Sequence, residues 1–239
     1  MKAMILAAGY GTRLKPFTDH HPKALAIVNG KSLLQRNIEY LAGFGIKDII
    51  VNVHHFAEQV QAALQINKGW GSNVVLSDES DAILETGGGL KRVAWFFEDS
   101  SEPFVLMNVD ILTDLDLRRM IQQHLEIRPL ATLAVTKRET SRYFLFNKHG
   151  ILSGWKNVKT GEEKISRVSQ TYIQKAFSGI HVIDPEIYSL IKQEGKFSMV
   201  DAYLDLAKDQ TIIAFDHSNG KLQDVGKPES IIAAEKLFF

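Results

Sequence analysis

The sequence predicts an α/β protein: a mixed, mostly parallel central sheet flanked by helices. Three observations carry that expectation. Short apolar runs alternate with amphipathic stretches through residue 136, the pattern of βαβ units. A loop rich in glycine and basic residues follows the first apolar run, and in α/β sheets the loops at the carboxyl ends of parallel strands are where ligands bind. The 239 residues are 45% hydrophobic and 23% charged, ordinary for a globular enzyme and enough for a large core.

Lys2–Leu6 reads as a short buried strand ended by Ala7-Ala8-Gly9. Lys31–Phe44 reads as a helix, with Leu33, Leu34, Ile38, Leu41 and Phe44 on one stripe and Gly45 as its stop. Ile49–Val53 is a strand, Ala57–Ile66 a helix and Asn73–Leu76 a strand. A polar loop from Ser77 through the glycine run Gly87-Gly88-Gly89 precedes a helix-like stretch at Leu90–Phe97, whose Trp95-Phe96-Phe97 reads as core. Phe104–Met107 is a strand, Leu115–Ile127 a helix and Ala131–Thr136 a strand. After residue 137 the pattern turns β-rich, with strands at Tyr143–Phe146, Ile151–Trp155 and Gln174–Ile183. Helices at Pro185–Ile191 and Met199–Lys208, a strand at Ile212–Phe215 and a helix at Pro228–Phe239 complete the chain. Without a repeat or long linker, a single domain over 1–239 is expected, with portions 1–136 and 137–239.

Lys plus Arg and Asp plus Glu both count 28, so the excess positive charge that recruits nucleic acid or an anionic membrane is missing. A phosphorylated small molecule needs only a local basic cluster. With no cysteine, disulfides, thiolate metal sites and a cysteine nucleophile are excluded. The apolar run Ala3–Ala8 is too short for a signal-peptide core, and no segment approaches the ~20 apolar residues of a membrane span. A cytoplasmic location is the expectation.

The loop reads Leu6-Ala7-Ala8-Gly9-Tyr10-Gly11-Thr12-Arg13-Leu14-Lys15-Pro16, then Pro22-Lys23. Small residues at 7–9 and 11 let backbone N–H groups approach phosphate oxygens, and Arg13 and Lys23 add positive charge. The spacing is neither that of a Walker loop nor G-x-G-x-x-G, since Leu14 holds the third glycine position. As physics alone, an ordinary tight turn fits it equally well. Asp110 follows the strand at 104–107. An aspartate there can hold Mg²⁺, which takes oxygen ligands, or serve a turn, with Thr113 and Asp114 better suited to start the helix. Glu79, in the polar loop, meets a base edge or solvent. The eight histidines are unpatterned, and His54-His55 reads as a turn.

Leu6-Ala7-Ala8-Gly9, Gly11-Thr12-Arg13-Leu14, Pro16, Thr18 and Pro22-Lys23 together closely resemble the long ordered signature of the sugar-1-phosphate nucleotidyltransferases. The resemblance extends over most of the chain, weakening between about 137 and 175. It implies the Rossmann-like nucleotide-diphospho-sugar transferase fold, with a small β-rich sugar-binding portion and the second metal ligand in residues 137–239. It implies that the backbone of Ala8–Thr12 wraps a triphosphate, that Ala7 and Gly9 belong to that cradle, that Arg13 holds the phosphates and leaving pyrophosphate, and that Lys23 neutralises charge at the α-phosphate. Asp110 and Asp224, the latter in Asp224-Val225-Gly226-Lys227-Pro228-Glu229, are implied as Mg²⁺ ligands. Glu85, Thr86, Gly87 and Gly88 are implied at the base and ribose, Gly179 beside the sugar. Departures are Ile27 for a second proline, Val109 for a glycine, Leu222 for a tryptophan and Lys227 for a threonine.

The family's sugar-gripping E-K-P element is missing, and Gly154-Trp155-Lys156-Asn157 stands in that region. Trp155 and Asn157 are therefore candidate sugar contacts. Asp201, in a segment resembling one that closes the sugar pocket, is another, although it also suits a helix start. Leu84-Glu85-Thr86-Gly87-Gly88-Gly89 is similar to the version in bacterial N-acetylmuramate-1-phosphate uridylyltransferases and mannose-1-phosphate guanylyltransferase-like proteins. UTP with N-acetylmuramate 1-phosphate is thus the first substrate expectation, and GTP with mannose or heptose 1-phosphate the second. A non-catalytic sugar-nucleotide sensor and transfer to choline phosphate are further readings. The partners expected are a nucleoside triphosphate and a sugar 1-phosphate, with no nucleic acid or membrane.

Overall fold

A computed structural model describes residues 1–238. The elements in chain order are β1 (Lys2–Leu6), β2 (Ile27–Val28), β3 (Lys31–Ser32), α1 (Leu33–Gly43), β4 (Asp48–Val53), α2 (Ala57–Ile66), β5 (Asn73–Asp78), α3 (Glu85–Arg92), β6 (Phe104–Asn108), β7 (Ile111–Thr113) and α4 (Leu117–Ile127). Then come β8 (Ala131–Thr136), β9 (Arg142–Phe146), β10 (Leu152–Asn157), β11 (Glu163–Ile165), β12 (Ile173–Ile183), α5 (Ile187–Leu190), α6 (Met199–Leu206), β13 (Ile212–Asp216), β14 (Leu222–Asp224) and α7 (Pro228–Leu237). The expected helix end at Phe239 lies outside the described residues.

Ten strands form one sheet in the order β11-β10-β9-β12-β6-β1-β4-β5, with β8 beside β12 and β13 beside β8. Strands β6, β1, β4 and β5 run parallel. β12 opposes both β6 and β8, while β13 is parallel to β8, so β12 alone reverses direction in this part of the sheet. The amino-terminal half of β12 bends away to pair with β9, which carries β10 and β11 as an antiparallel extension. The bend is the register shift between Phe177 and His181.

Burial on both faces explains why the inner strands read as unbroken apolar runs. Alternate side chains enter opposite cores. Ala3, Ile5, Ile49, Val51, Val105 and Met107 join Leu33, Ile38 and Leu41 of α1, Val60 of α2 and Met120 of α4 on one face. Met4, Leu6, Ile50, Phe104 and Leu106 join Leu90 of α3, Ile187 of α5 and Tyr203 of α6 on the other. Ser32 caps α1 by accepting the Gln35 N–H, and Ser198 caps α6 by accepting the Asp201 N–H. No helix of the described residues is long and apolar enough to cross a membrane.

Several local expectations are corrected. The first helix begins at Leu33, because Lys31-Ser32 pairs with Ile27-Val28 as a hairpin. The fourth begins at Leu117, capped by the Asp116 carboxylate, and Asp114 instead accepts the Lys221 N–H at 2.6 Å. The glycine run lies inside α3, not in a loop before it. Trp95 is 55% exposed, while Phe97 is core. Strands β2, β3, β7, β11 and β14 span two or three residues each, too few to leave a period-two trace.

Candidate active site

A cleft of about 450 Å³ opens at the carboxyl ends of β1, β4 and β6. Its floor is the register Asn52–Leu6–Asn108 across those strands, and its rim is the glycine-rich loop. Gly11 sits at φ 62 and starts a 3₁₀ turn over Thr12–Leu14. A β-carbon at Gly11 would stand 2.9 Å from the Thr18 methyl and 3.1 Å from Lys23 Cβ, so both the left-handed backbone and the space call for glycine. The Thr18 hydroxyl closes the loop by donating to the Gly11 carbonyl at 3.0 Å.

Ala7, Ala8, Gly9, Gly11, Thr12, Arg13 and Lys23 all line the cleft, with Tyr10. The Ala7 N–H is already engaged, donating to Asn52 Oδ1 at 2.7 Å. Any backbone donor that this loop offers to a ligand must therefore come from the residues after it.

Asp110 lies in the turn between β6 and β7. Its carboxylate forms an ion pair with the Lys23 ammonium, and the two side chains are only 18% and 11% exposed. Asp224 reaches the same place because β14 pairs with β7, setting Asp224 opposite Ile111, and the Val225 N–H donates to the Asp110 carbonyl at 2.8 Å. Burial first, then the Asp110 charge, push the Asp224 carboxyl above its ordinary range, against the pull of Lys23, Arg13 and Arg138. Asp224 Oδ1 is buried without a hydrogen-bond partner. A β-carbon at Gly226 would lie 2.8 Å from that oxygen and 3.0 Å from Arg13 Nη2, so this glycine admits both side chains to one point.

On the opposite side Glu85 and Thr86 line the cleft from the start of α3. Gly87 and Gly88 do not line it. Both of their N–H groups donate to the Phe197 carbonyl, at 2.9 and 3.2 Å, and a β-carbon at Gly88 would meet the Gly195 carbonyl at 2.1 Å. These glycines let the 195–198 segment dock on α3, which delivers Ser198 to the cleft wall. The Thr86 hydroxyl accepts the Met199 N–H at 2.8 Å and so belongs to the same junction.

The candidate sugar residues scatter. Gly179, at φ 74, forms part of the β12 bulge and packs behind the cleft residue Asn108. Trp155 and Asn157 are not among the cleft-lining residues. The Asn157 carboxamide accepts the Lys159 N–H at 3.0 Å in the turn after β10, and the Trp155 ring lies 5.7 Å from the Lys164 ammonium. Asp201 accepts the Ser198 hydroxyl at 2.8 Å and pairs with Lys164 at 3.1 Å. It therefore completes the capping of α6, the helix-start role, and does not line the cleft.

Glu79 meets neither a base edge nor solvent. It is fully buried, and its Oε1 accepts the Asn52 amide at 2.8 Å. Sequence reasoning missed Asn52, Asn108, Ile83 and Ser198 at the cleft. The first two were readable: each is a polar residue at the carboxyl end of an apolar strand, the rule that singled out Asp110. Ile83 carries no such signal, and of the segment 198–201, which resembles one that closes the sugar pocket, Ser198 and not Asp201 reaches the cleft.

The chain matches the family described as Nucleotidyl transferase over residues 2–238. It is 28% identical to the mannose-1-phosphate guanylyltransferase catalytic subunit beta of Drosophila melanogaster, over 99% of this chain and 62% of that protein. It is 29% identical to the N-acetylmuramate alpha-1-phosphate uridylyltransferase of Caulobacter vibrioides, over 98% of this chain and 95% of that protein. The chain thus spans less than two thirds of the mannose-1-phosphate relative and nearly all of the muramate relative. In fold it is similar to HddC from Yersinia pseudotuberculosis, solved with GMP-PN, at a TM-score of 0.77 and 23% identity over 100% of this chain and 99% of that one. From the glycine-rich loop to the Asp-Val-Gly turn, this chain belongs to the nucleotidyl transferase family.

Proposed function

We propose that this protein transfers a nucleotidyl group from a nucleoside triphosphate to a sugar 1-phosphate, releasing pyrophosphate. One observation carries the reading: Arg13, Lys23 and Asp110 line one cleft with the glycine-rich loop, and Asp224 lies beside Gly226, near Arg13 and in the field of Asp110. The sugar 1-phosphate oxygen attacks the α-phosphorus in line. The bond from that phosphorus to the bridging oxygen breaks, and pyrophosphate leaves toward Arg13. The Ala8–Thr12 amides hold the phosphates in place, and Lys23 offsets charge as it builds up at the α-phosphate. Such chemistry is catalysed mainly by positioning and charge stabilisation, which these residues supply without a covalent intermediate.

The two carboxylates fit a divalent cation. They lie within each other's field, and Asp224 Oδ1 is buried and unpaired, an arrangement that a hard cation relieves. Asp110 and Asp224 would hold such a cation, and Mg²⁺, which takes oxygen ligands and keeps several waters, would suit a site with two carboxylates. When bound, Mg²⁺ would offset the negative charge of the phosphates. Asp110→Asn is expected to lower pyrophosphate release on the order of 100-fold or more. Near-normal turnover by that variant refutes the assignment of Asp110.

For the substrate pair, UTP and N-acetylmuramate 1-phosphate stand first. The muramate relative is matched along nearly its whole length, while the Glu85-Thr86-Gly87-Gly88-Gly89 run resembles both that type and the mannose-1-phosphate guanylyltransferase-like proteins. The reaction then belongs to cell-wall recycling. GTP with mannose or heptose 1-phosphate stands second, supported by the mannose-1-phosphate relatives. Release of pyrophosphate with each triphosphate against a panel of sugar 1-phosphates separates the two.

A further inference from the structure

Behind the glycine-rich loop lies a buried chain of three polar groups that the reaction itself does not use. The Ala7 N–H donates to Asn52 Oδ1 at 2.7 Å, and Asn52 Nδ2 donates to Glu79 Oε1 at 2.8 Å. Asn52 is 2% exposed and Glu79 is 0% exposed. The chain links the ends of three parallel strands, β1, β4 and β5. Gly89 of α3 closes it from the fourth side: a β-carbon there would stand 2.8 Å from Glu79 Oε1 and 2.9 Å from Asn52 Nδ2. The space has been left for this pair of side chains.

Direction matters in this chain. An asparagine amide has one accepting and one donating end, and nothing in its shape distinguishes them. A carboxyl oxygen facing it accepts only from the Nδ2 end, which forces Oδ1 toward Ala7. Turned over, the amide would set its NH₂ against the Ala7 N–H, donor against donor. The backbone that leaves Ala7 runs into residues 8–12, whose amides hold the phosphates on the transferase reading. Burial pushes the Glu79 carboxyl up, against the pull of hydrogen bonds from the Asn52 amide and the Leu84 backbone. The group is therefore held at a cost that ordinary packing does not require.

We propose that Glu79 is a positioning residue, which acts through Asn52 to hold the glycine-rich loop in its phosphate-receiving form. The consequence for triphosphate binding rests on the transferase reading; the consequence for the loop does not. The first test is therefore amide hydrogen exchange on the unliganded protein. Glu79→Ala speeds exchange in the segment 7–12 by about three- to tenfold, the worth of one hydrogen bond, while the strands keep their protection. In a double variant with Asn52→Ala the effects do not add, since one acts through the other. Glu79→Gln keeps an acceptor for Asn52 and returns exchange to within about twofold of wild type. If Glu79→Ala fails to fold, Gly89→Ala disturbs the same pair from α3 and loosens the same segment.

The second test is kinetic. Glu79→Ala raises KM for the triphosphate by about three- to tenfold and leaves KM for the sugar 1-phosphate unchanged. Unaltered exchange at residues 7–12, additive effects in the double variant, or an equal rise in both KM values overturns the proposal. Wild-type protein that turns over no triphosphate refutes the transferase reading alone, because the exchange test still decides the role of Glu79.

Discussion

Asp224 pits stability against chemistry. Burial and the neighbouring Asp110 raise its pKa above that of an unfolded aspartate. The sign follows from linkage: stability from a group with a raised folded pKa is complete below the unfolded value and is lost as pH rises through the folded one. At neutral pH the ionised Asp224 thus costs the fold free energy. Asp224→Asn is expected to raise the thermal midpoint by about 2–4 °C and, on the transferase reading, to remove nearly all turnover. Mg²⁺ should raise the midpoint of the wild type and leave that of the variant unmoved. Thermal melts with and without the ion, beside the pyrophosphate assay, check both halves. A lower midpoint for the variant contradicts the assigned cost.

Among the elements, α3 departs most from its sequence reading. Three consecutive glycines signal a loop, because glycine costs ~1 kcal/mol against alanine inside a helix. Here they lie inside the helix, because Phe197 crowds Gly87, Gly195 crowds Gly88 and the Glu79–Asn52 pair crowds Gly89 closely enough to exclude side chains. Gly88→Ala drives a β-carbon against the Gly195 carbonyl, so the 195–198 segment must lift from α3 or the helix must shift. The expected loss is about 1–3 kcal/mol, measured by chemical denaturation, with a higher KM for the triphosphate because Glu85 and Thr86 lose their backing. A variant as stable as wild type with unchanged kinetics contradicts that docking role. Elements whose signal is local were legible: α2 runs Ala57–Ile66 and β8 runs Ala131–Thr136, as the periodicity indicates. The pairing of β7 with β14 was not, because its partners lie far apart in the chain and each is three residues long.

Across the molecule, buried histidines tie both helical layers to the sheet. His181 on β12 and the Tyr203 hydroxyl of α6 lie 2.7 Å apart, and His124 of α4 and the Thr132 hydroxyl of β8 lie 2.9 Å apart. Burial lowers their pKa values to about 3 and about 4 respectively. Both are neutral when folded and take up a proton on unfolding once pH falls below about 6.5. Folding stability should therefore fall from pH 6.5 downward by roughly 1.4 kcal/mol per pH unit for each imidazole. Glu79 and Asp224, with raised values, work the other way at lower pH, while Asp216, held near 2 by Lys175 and Ser218 against its burial, contributes loss only in stronger acid. Urea denaturation at pH 7, 6 and 5 measures the slope, which His124→Gln should reduce. A midpoint that stays level from pH 7 to pH 5 rules the histidine account out.

The sequence by itself determined the α/β class, the order of the long strands and helices, and the loop from Ala7 to Lys23. Those features rest on short-range physics: apolar period, glycine at a left-handed turn, and charge held near small residues. It also marked Asp110 as a polar end to an apolar strand. Only the tertiary structure decided the rest of the site. Antiparallel pairing of β7 with β14 carries Asp224 to Asp110, Gly226 leaves the space where Arg13 and Asp224 meet, and Glu79 turns inward to Asn52 instead of toward solvent. Each is a contact between residues remote in sequence, and the free energy that selects it comes from burial and hydrogen bonding that exist only once the sheet has assembled.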